Sequence, residues 1–258
     1  MARVDGVLLD MDGVLVSSWR PLPGGPEAVR WLRDERIPFR LITNTTTHTR
    51  ADLAGTLARA GIDVSPDEIV TAVVATAAYL RNTHPGARTF VLCDGDAHSD
   101  LEGVTIVEDG ADVVVLGGAY EGFDYPTLNR VFRMLMDGAS LVAMHRNLYW
   151  WTDEGWRLDA GAYVAGLEEA VGRKAVVCGK PSEAYFTSAL AQIGVSPDRA
   201  AMVGDDVESD VLGAQAVGLT GVLVRTGKFR PEDLERASGE PDVVLHSVRD
   251  LPRLLAAS

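Results

Sequence analysis

Short apolar runs alternate with helix-like segments along the whole chain. This alternation predicts an α/β fold with a largely parallel sheet. The apolar runs that we assign to strands lie at residues 7–9, 39–42, 113–116, 201–203 and 221–224. Helix-like segments lie at residues 27–34 and 50–60, and the second is followed by Gly61, a residue suited to a helix C-terminus.

The alternation is interrupted near residues 82–88, where the turn-forming segment Thr83-His84-Pro85-Gly86 occurs. The stretch that follows contains strands and helices of its own and is long enough to form an inserted domain. We therefore predict a core domain of residues 1–84 and 178–258 and an inserted αβ domain of residues 85–177. Within the insertion, the aromatic-rich segment 149–156 predicts a β-hairpin that turns at Asp153 to Gly155.

Polar side chains follow four of the apolar runs directly. Asp10, with Asp12 two residues later, ends the first run, and the others end at Thr43-Asn44, Lys180 and Asp205-Asp206. In a parallel sheet these groups would converge on one edge, where open α/β sheets keep their active sites. Carboxylates, a hydroxyl and an ammonium together suit a divalent cation and a phosphoryl group. The alternative is that each is only a strand-ending turn or a helix cap.

Composition narrows the possible partners. The formal net charge of −13 argues against a nucleic-acid partner, which would require a basic face. The only cysteines, Cys93 and Cys178, give no disulfide framework. We find neither signal-peptide anatomy nor an apolar run of membrane-spanning length, so we expect a cytoplasmic protein without a membrane partner. Lysine is rare, at three residues against 21 arginines, which draws attention to Lys180 as a compact ammonium.

The ordered set of strand-end residues resembles the four motifs of haloacid dehalogenase superfamily phosphohydrolases. The insertion is similar to the αβ cap of the nitrophenyl phosphatase and phosphoglycolate phosphatase branch, and the resemblance covers nearly the whole chain. It implies a Rossmann-like core with a mostly parallel sheet and an inserted αβ cap domain. Three segments are also similar to the subgroup of phospholysine phosphohistidine inorganic pyrophosphate phosphatases: 158–163, the Val-Gly-Asp-Asp segment with the later Gly-Ala-Gln, and 225–231. Members of that subgroup often have serine where this chain has Asp12.

The resemblance implies a mechanism with an aspartyl-phosphate intermediate. Asp10 would attack phosphorus, and Asp12 would act as general acid and then general base. Thr43, Asn44 and Lys180 would bind the phosphoryl oxygens. Mg²⁺ would be held by Asp10, the backbone carbonyl of Asp12 and Asp205, with Asp206 and Asp210 orienting these ligands.

Substrate choice is expected to reside in the inserted domain, whose loops can close over a reacting group. Arg146, between His145 and Asn147, could meet an anionic substrate, and Tyr163, in the segment that begins at Asp159, could pack on it. Each could equally be a loop or packing residue. We expect a small phosphorylated metabolite as substrate, and the resemblance implies a homodimer formed through the cap.

Three other functions remain open at this point. A phosphotransferase or mutase would share the aspartyl-phosphate but keep water out. A pyrophosphatase or phosphoamidase activity would use the same site on another substrate. A non-catalytic binding protein is disfavoured because every motif position is filled, and a dehalogenase is disfavoured because Asp12 and the phosphate ligands suit phosphorus better than an alkyl carbon.

Overall fold

The fold contains nine α-helices and fifteen strands among the described residues. A computed structural model describes residues 3–152 and 155–256. The strands are β1 Gly6–Asp10, β2 Val16–Ser17, β3 Arg20–Pro21, β4 Phe39–Thr43, β5 Ile69–Thr71, β6 Arg88–Leu92, β7 Thr105–Ile106, β8 Val113–Leu116, β9 Ser140–Ala143, β10 Tyr149–Thr152, β11 Gly155–Leu158, β12 Val176–Val177, β13 Ala200–Gly204, β14 Thr220–Val224 and β15 Val243–Leu245. The α-helices are α1 Gly25–Asp34, α2 Arg50–Arg59, α3 Ala72–Thr83, α4 Tyr125–Met136, α5 Ala160–Val171, α6 Glu183–Ile193, α7 Gly213–Gln215, α8 Pro231–Arg236 and α9 Leu251–Ala256. The α/β fold class and the strands and helices predicted above are confirmed, with bounds that differ by one or two residues.

The chain divides into two compact units. The first unit comprises the described residues of Met1–Thr43, Arg50–Val70 and Lys180–Ser258, and the second comprises Asn44–Thr49 and Thr71–Gly179. The predicted boundary at residue 85 would have left α3 in the core domain. Instead α3 packs in the second unit, because its apolar side chains share a core cluster with strands β8 and β9.

The first unit is built on a six-stranded sheet in the order β15-β14-β13-β1-β4-β5. The four pairings from β15 to β4 are parallel. All five residues of β1 are buried, because β1 lies between β13 and β4 at the centre of the sheet. Burying an apolar side chain such as Leu8 contributes about 1.5–3 kcal/mol. A central apolar strand that ends in a carboxylate therefore fixes where that carboxylate lies.

The second unit is built on a five-stranded sheet in the order β12-β9-β8-β6-β7, with parallel pairings throughout. The strand that precedes Lys180, β12, belongs to this sheet and pairs with β9. The expectation that all four polar strand ends belong to one sheet is therefore wrong for Lys180. Sequence alone predicts an apolar run but not the sheet in which it pairs.

The predicted aromatic hairpin is present as β10 and β11, which pair antiparallel. Two residues of its expected turn, Asp153 and Glu154, lie outside the described residues. Tyr149 and Trp156 pack edge to face with ring centroids 5.3 Å apart, and both remain largely exposed. In the described part of the chain, no helix has the length and apolar character that crossing a bilayer requires.

Candidate active site

Strand β1 places Asp10 at the carboxyl end of the first unit's sheet. The Asp10 side chain is 9% exposed, so it is almost completely buried. Its Oδ1 atom accepts a hydrogen bond from the backbone N–H of Met11 at 2.8 Å. Asp12 is exposed to solvent, whereas Gly13 turns the chain with φ of +87°. The two carboxylates of the first motif therefore have different surroundings.

Thr43 lies at the end of the neighbouring strand β4. Asp10 pairs in register with Ile42, so Thr43 is one residue beyond Asp10 along the sheet edge. Thr43 is buried, and its backbone N–H donates to the hydroxyl of Tyr185 at 3.0 Å. The same hydroxyl donates to the carbonyl of Val70 at 2.6 Å. Tyr185, which the sequence analysis missed, thus joins helix α6 to the ends of β4 and β5.

Lys180 reaches this edge from the segment that precedes α6. Its Nζ atom lies 2.8 Å from Asp10 Oδ1 and 2.7 Å from Asp210 Oδ1. Only 4% of its side chain is exposed. Burial alone would lower the pKa of Lys180, but the carboxylates of Asp10 and Asp210 raise it above its usual value. The ammonium is therefore held in its charged form between two carboxylates.

Asp205 follows β13 and is almost completely buried. Its Oδ2 atom accepts a hydrogen bond from the backbone N–H of Lys228 at 2.7 Å. A Cβ atom at Gly13 or Gly227 would lie 2.0 or 2.1 Å from this oxygen, so both positions require glycine for close approach. The other oxygen, Oδ1, is buried without a hydrogen-bond partner among the described residues. Burying a carboxylate oxygen without a partner costs free energy of folding. This oxygen is therefore suited to bind a cation.

Asp206 and Asp210 have separate roles in the loop after β13. Asp206 caps the π-helix Val207–Leu212 by accepting from the N–H groups of Glu208 and Ser209. It also pairs with the Lys228 ammonium at 2.8 Å. Burial alone would raise the pKa of Asp206, but Lys228 and the capping hydrogen bonds lower it to about 2.

Asp210 is fully buried. Its Oδ1 faces Lys180, and its Oδ2 accepts from the N–H of Asp206 at 3.1 Å. Burial raises the pKa of both Asp205 and Asp210, and the neighbouring Asp10 carboxylate adds to the effect. Three carboxylates placed this close favour a bound cation, which would offset their mutual repulsion.

Asp10, Asp205 and Asp210 form an acidic cluster. Each offers a ligand atom, and these atoms lie within 4.8 Å of one another. The cluster contains two of the predicted metal ligands and one residue, Asp210, that was predicted to orient them. The side chain of Asp12 is not a member of this cluster, and metal binding by its backbone carbonyl stays a prediction.

The pKa of Asp12 differs from that of a free aspartate. Crowding by protein atoms raises the pKa of its carboxyl above the usual value, although the residue is exposed. The ammonium of Lys228 is the largest opposing influence, followed by a hydrogen bond from the backbone of Ser18. A raised pKa keeps a larger fraction of the acid protonated near neutral pH, as a general acid requires.

Lys228 is the second residue beside the acidic cluster that the sequence analysis did not assign. Burial would lower its pKa, but Asp206 and Asp205 raise it above the usual value. Its backbone N–H holds Asp205 and its side chain pairs with Asp206. A signal was present in the sequence, because Lys228 follows an apolar run, β14, as Lys180 follows β12.

In the second unit, Arg146 is engaged by a buried acid. Its guanidinium forms two hydrogen bonds to Glu168, at 2.8 and 3.0 Å. Glu168, whose side chain is 1% exposed, also binds Lys174 at 3.2 Å and accepts from the N–H of Ala175. This network gives Arg146 a structural role, and its predicted contact with substrate stays a prediction.

The other residues predicted in the inserted domain also have partners within the second unit. Tyr163 stacks on Phe123 with ring centroids 4.0 Å apart. His145 is buried, with Nε2 3.7 Å from Asp159 Oδ1, and its Nδ1 accepts from the N–H of Asn147. Asp159 caps α5. Asn44, which was predicted as a phosphate ligand of the core domain, lies in the second unit, where its Oδ1 packs against Gly179. Their roles toward a substrate stay predictions.

Two family models match the chain. A haloacid dehalogenase-like hydrolase model matches residues 7–107, and a HAD-hydrolase-like model matches residues 177–251. The human haloacid dehalogenase-like hydrolase domain-containing protein 2 is 39% identical over 241 residues, covering 93% of this chain and 92% of that protein. Human phospholysine phosphohistidine inorganic pyrophosphate phosphatase is 36% identical over 261 residues, covering 99% of this chain and 95% of that protein.

Solved structures agree with these relatives. The 4-nitrophenylphosphatase of Thermotoga maritima superposes with a TM-score of 0.91 at 31% identity, covering 98% of this chain and 97% of that one. The resemblance inferred from the strand-end motifs is thereby confirmed. The chain belongs to the haloacid dehalogenase-like hydrolase family.

Proposed function

We propose that this hydrolase is a magnesium-dependent phosphatase that acts on small phosphate monoesters through an aspartyl-phosphate on Asp10. The observation that carries the proposal is the buried acidic cluster with the Lys180 ammonium between two of its carboxylates. Two similar proteins, a 4-nitrophenylphosphatase and a phospholysine phosphohistidine inorganic pyrophosphate phosphatase, support the same reaction class by their names.

Asp10 is the nucleophile in this proposal. Lys180 and the N–H of Met11 both hold Oδ1, so Oδ2 is the oxygen that we assign to the attack. Oδ2 forms a bond to phosphorus while the bond from phosphorus to the ester oxygen breaks. Water then attacks the phosphorus of the aspartyl-phosphate, which releases inorganic phosphate and regenerates the carboxylate.

Asp12 moves the protons of both steps. Its carboxyl gives a proton to the departing ester oxygen and later takes one from the attacking water. The raised pKa of Asp12 supports the first role because the acid retains its proton at higher pH than an ordinary aspartate. Such transfer contributes about 10²–10⁴-fold in rate.

Thr43 and Lys180 bind the phosphoryl oxygens. Thr43 lies one residue beyond Asp10 along the sheet edge, and Lys180 is already in contact with the nucleophile. Asp210 holds the ammonium from the other side and so keeps it aimed at the site. Donors fixed in this way stabilise the charge that develops on the transferring group.

The acidic cluster fits a divalent cation of the Mg²⁺ type. The fit rests on Asp205 Oδ1, which is buried without a hydrogen-bond partner in the described part of the chain. Asp10 and Asp205 would hold the ion together with the backbone carbonyl of Asp12, and oxygen donors are those that Mg²⁺ prefers. When bound, the ion neutralises the carboxylates and polarises the phosphoryl oxygens.

We retain the proposal that the second unit selects the substrate. Formation of a homodimer also remains a prediction. Under this proposal, substitution of Tyr163, which stacks on Phe123, or of Arg146, which pairs with Glu168, changes the substrate preference.

The test is release of inorganic phosphate from p-nitrophenyl phosphate and a panel of phosphorylated metabolites, with Mg²⁺ or with EDTA. We expect metal-dependent release that Asp10→Asn abolishes without loss of the folded structure by circular dichroism. Asp109→Asn, a change at an exposed aspartate, serves as the matched control and should retain activity. Release that persists in Asp10→Asn would refute the assignment of the nucleophile.

The same panel distinguishes the alternative activities. Inorganic pyrophosphate and phosphohistidine are included because a 36% identical relative is named for them. A phosphotransferase would form a new phosphate ester on an added alcohol without releasing inorganic phosphate. The substrate that gives the highest kcat/KM decides among these activities.

A further inference from the structure

A short segment after β14 connects the first motif to the acidic residues that follow β13. It comprises Thr226, Gly227 and Lys228, and we call it the 226–228 segment. The Thr226 hydroxyl donates a hydrogen bond to the carbonyl of Gly13 at 2.5 Å. These two residues are 213 positions apart in the chain, and they meet because β1 and β14 belong to one sheet. The hydroxyl therefore holds the turn of the first motif against the end of β14.

Both backbone groups of Gly13 are held by hydrogen bonds. Its N–H donates to the carbonyl of Val16 at 2.7 Å, and its carbonyl accepts from Thr226. The planar peptide group that contains the Gly13 N–H also contains the carbonyl of Asp12, so the bond to Val16 orients that carbonyl. Thr226 restrains the next peptide group. A change in the left-handed φ of Gly13, which is +87°, would therefore strain one of these two bonds.

The same segment holds the Asp205 carboxylate. The backbone N–H of Lys228 donates to Asp205 Oδ2 at 2.7 Å, and Oδ1 is buried without a hydrogen-bond partner in the part of the chain that the structure describes. A Cβ atom at Gly227 would lie 2.1 Å from Asp205 Oδ2 and 2.4 Å from the Cα atom of Gly13. The two glycine backbones and the carboxylate are therefore in close contact, with no room for a methyl group between them.

Apolar packing and an ion pair anchor the far end of the segment. Phe229, the next residue in the chain, packs against the buried cluster of Val207, Val211 and Leu223. The first two members of this cluster lie in the π-helix that Asp206 caps. The Lys228 ammonium pairs with the Asp206 carboxylate at 2.8 Å. The 226–228 segment is therefore tied to the turn after β1 and to the helix after β13 at the same time.

We propose that the 226–228 segment is a positioning element for the divalent cation. Mg²⁺ demands near-octahedral geometry at short distances, so ligands from separate segments must be held in one arrangement. The Thr226 hydroxyl holds the turn that carries the Asp12 carbonyl, and the Lys228 N–H holds Asp205. This inference rests on the proposed function, in which the Asp12 carbonyl and Asp205 both bind Mg²⁺. Neither Thr226 nor Lys228 touches the ion or the reacting atoms in this proposal.

Two substitutions of Thr226 form a matched pair. Thr226→Val keeps the branch at Cβ and removes the hydroxyl, whereas Thr226→Ser keeps the hydroxyl and removes the methyl group. Both variants are compared with the unaltered protein by isothermal titration calorimetry with Mg²⁺ in the absence of substrate. The Kd for the ion obtained in this way does not depend on catalysis. Circular dichroism checks that each variant is folded.

Loss of a group that orients a metal ligand typically weakens metal binding by about 10–100-fold. We therefore expect the Kd for Mg²⁺ to rise by about tenfold or more in Thr226→Val and to stay within about threefold in Thr226→Ser. At saturating Mg²⁺ the KM of Thr226→Val for p-nitrophenyl phosphate should equal that of the unaltered protein. An unchanged Kd in Thr226→Val, an equal rise in both variants, or a KM that rises even at saturating Mg²⁺ overturns the inference.

Hydrogen exchange of the unaltered protein tests the inference even if Thr226→Val does not fold. An ion that binds only the closed site suppresses opening of the segments that position its ligands. With Mg²⁺ at ten times its Kd, we expect the amides of Gly13 and Lys228 to exchange about tenfold more slowly than in EDTA. Equal exchange rates overturn the inference. Binding of Mg²⁺ without phosphate release from any substrate overturns the proposed function and leaves this inference standing.

Discussion

Replacing Tyr185 with phenylalanine tests whether its hydroxyl holds strands β4 and β5 in place beside the candidate site. The substitution keeps the aromatic ring, which is buried in the first unit, and removes only the hydroxyl. That hydroxyl accepts from the N–H of Thr43 and donates to the carbonyl of Val70. The variant therefore leaves two backbone groups at the ends of β4 and β5 without this partner.

The expected cost follows from the number of groups affected. Leaving one buried donor or acceptor unsatisfied costs about 1–3 kcal/mol. With two such groups we expect the free energy of unfolding to fall by roughly 2–6 kcal/mol, which lowers Tm by roughly 4–24 °C. Because Thr43 is a proposed phosphate ligand, its displacement should also reduce kcat/KM by about tenfold, or about 1.4 kcal/mol of transition-state stabilisation.

The assay combines thermal unfolding followed by circular dichroism with phosphate release at a temperature well below Tm. Tyr125→Phe is the matched control, because Tyr125 is 79% exposed and its hydroxyl should contribute less than about 0.5 kcal/mol. A Tyr185→Phe protein with unchanged Tm and unchanged kcat/KM would refute the view that this hydroxyl secures Thr43.

Three further predictions follow from the same contacts. Asp205→Asn should raise the Mg²⁺ concentration for half-maximal activity by about tenfold or more, measured by metal titration of phosphate release, since carboxylate ligands carry the charge that attracts the ion. Gly227→Ala should reduce activity and Tm because a Cβ there lies 2.1 Å from the Asp205 carboxylate, whereas Gly166→Ala, with open space around it in helix α5, should stabilise by about 0.5–1 kcal/mol. Glu168→Gln should cost about 1.5–3 kcal/mol near pH 7 relative to the exposed control Glu169→Gln, measured by urea unfolding. Burial would raise the pKa of Glu168, but its hydrogen bonds and ion pairs lower it below 4.5, so the difference from wild type should be complete above about pH 4.5 and shrink as pH falls further.

The strand ends that carry Asp10, Thr43 and Asp205 could be predicted because the signal is local. An apolar run followed by a polar residue identifies a buried strand and its end within a few positions. Since β13, β1 and β4 are neighbours in one parallel sheet, the three residues meet without any long-range information. This is the part of the site that the sequence analysis predicted with the correct reason.

Lys180 was predicted as a site residue for a reason that was only partly correct. It follows an apolar run, but that run pairs with β9 of the second unit. The pairing of a two-residue strand depends on tertiary contacts that no local pattern encodes. The predicted domain boundary differs from the observed division for the same reason. The prediction relied on the turn that follows α3, whereas α3 packs into the core of the second unit. Arg146 illustrates the same limit, since its partner Glu168 lies 22 residues away in the chain.

The scarcity of lysine becomes informative once the contacts are known. Of the three lysines, Lys180 pairs with Asp10 and Asp210, Lys228 pairs with Asp206, and Lys174 pairs with Glu168. Although the chain has 21 arginines, the cation that contacts both Asp10 and Asp210 is a lysine. An ammonium is compact and offers three donors in any direction, whereas a guanidinium is planar and prefers one bidentate partner. A cation that must contact two carboxylates, one at the end of β1 and one in the π-helix after β13, in a space that is almost closed, therefore requires lysine. Lys180→Arg should accordingly fail to restore activity even though it preserves the charge, and a protein with Lys180→Arg that hydrolyses p-nitrophenyl phosphate as well as wild type would show that charge alone is sufficient.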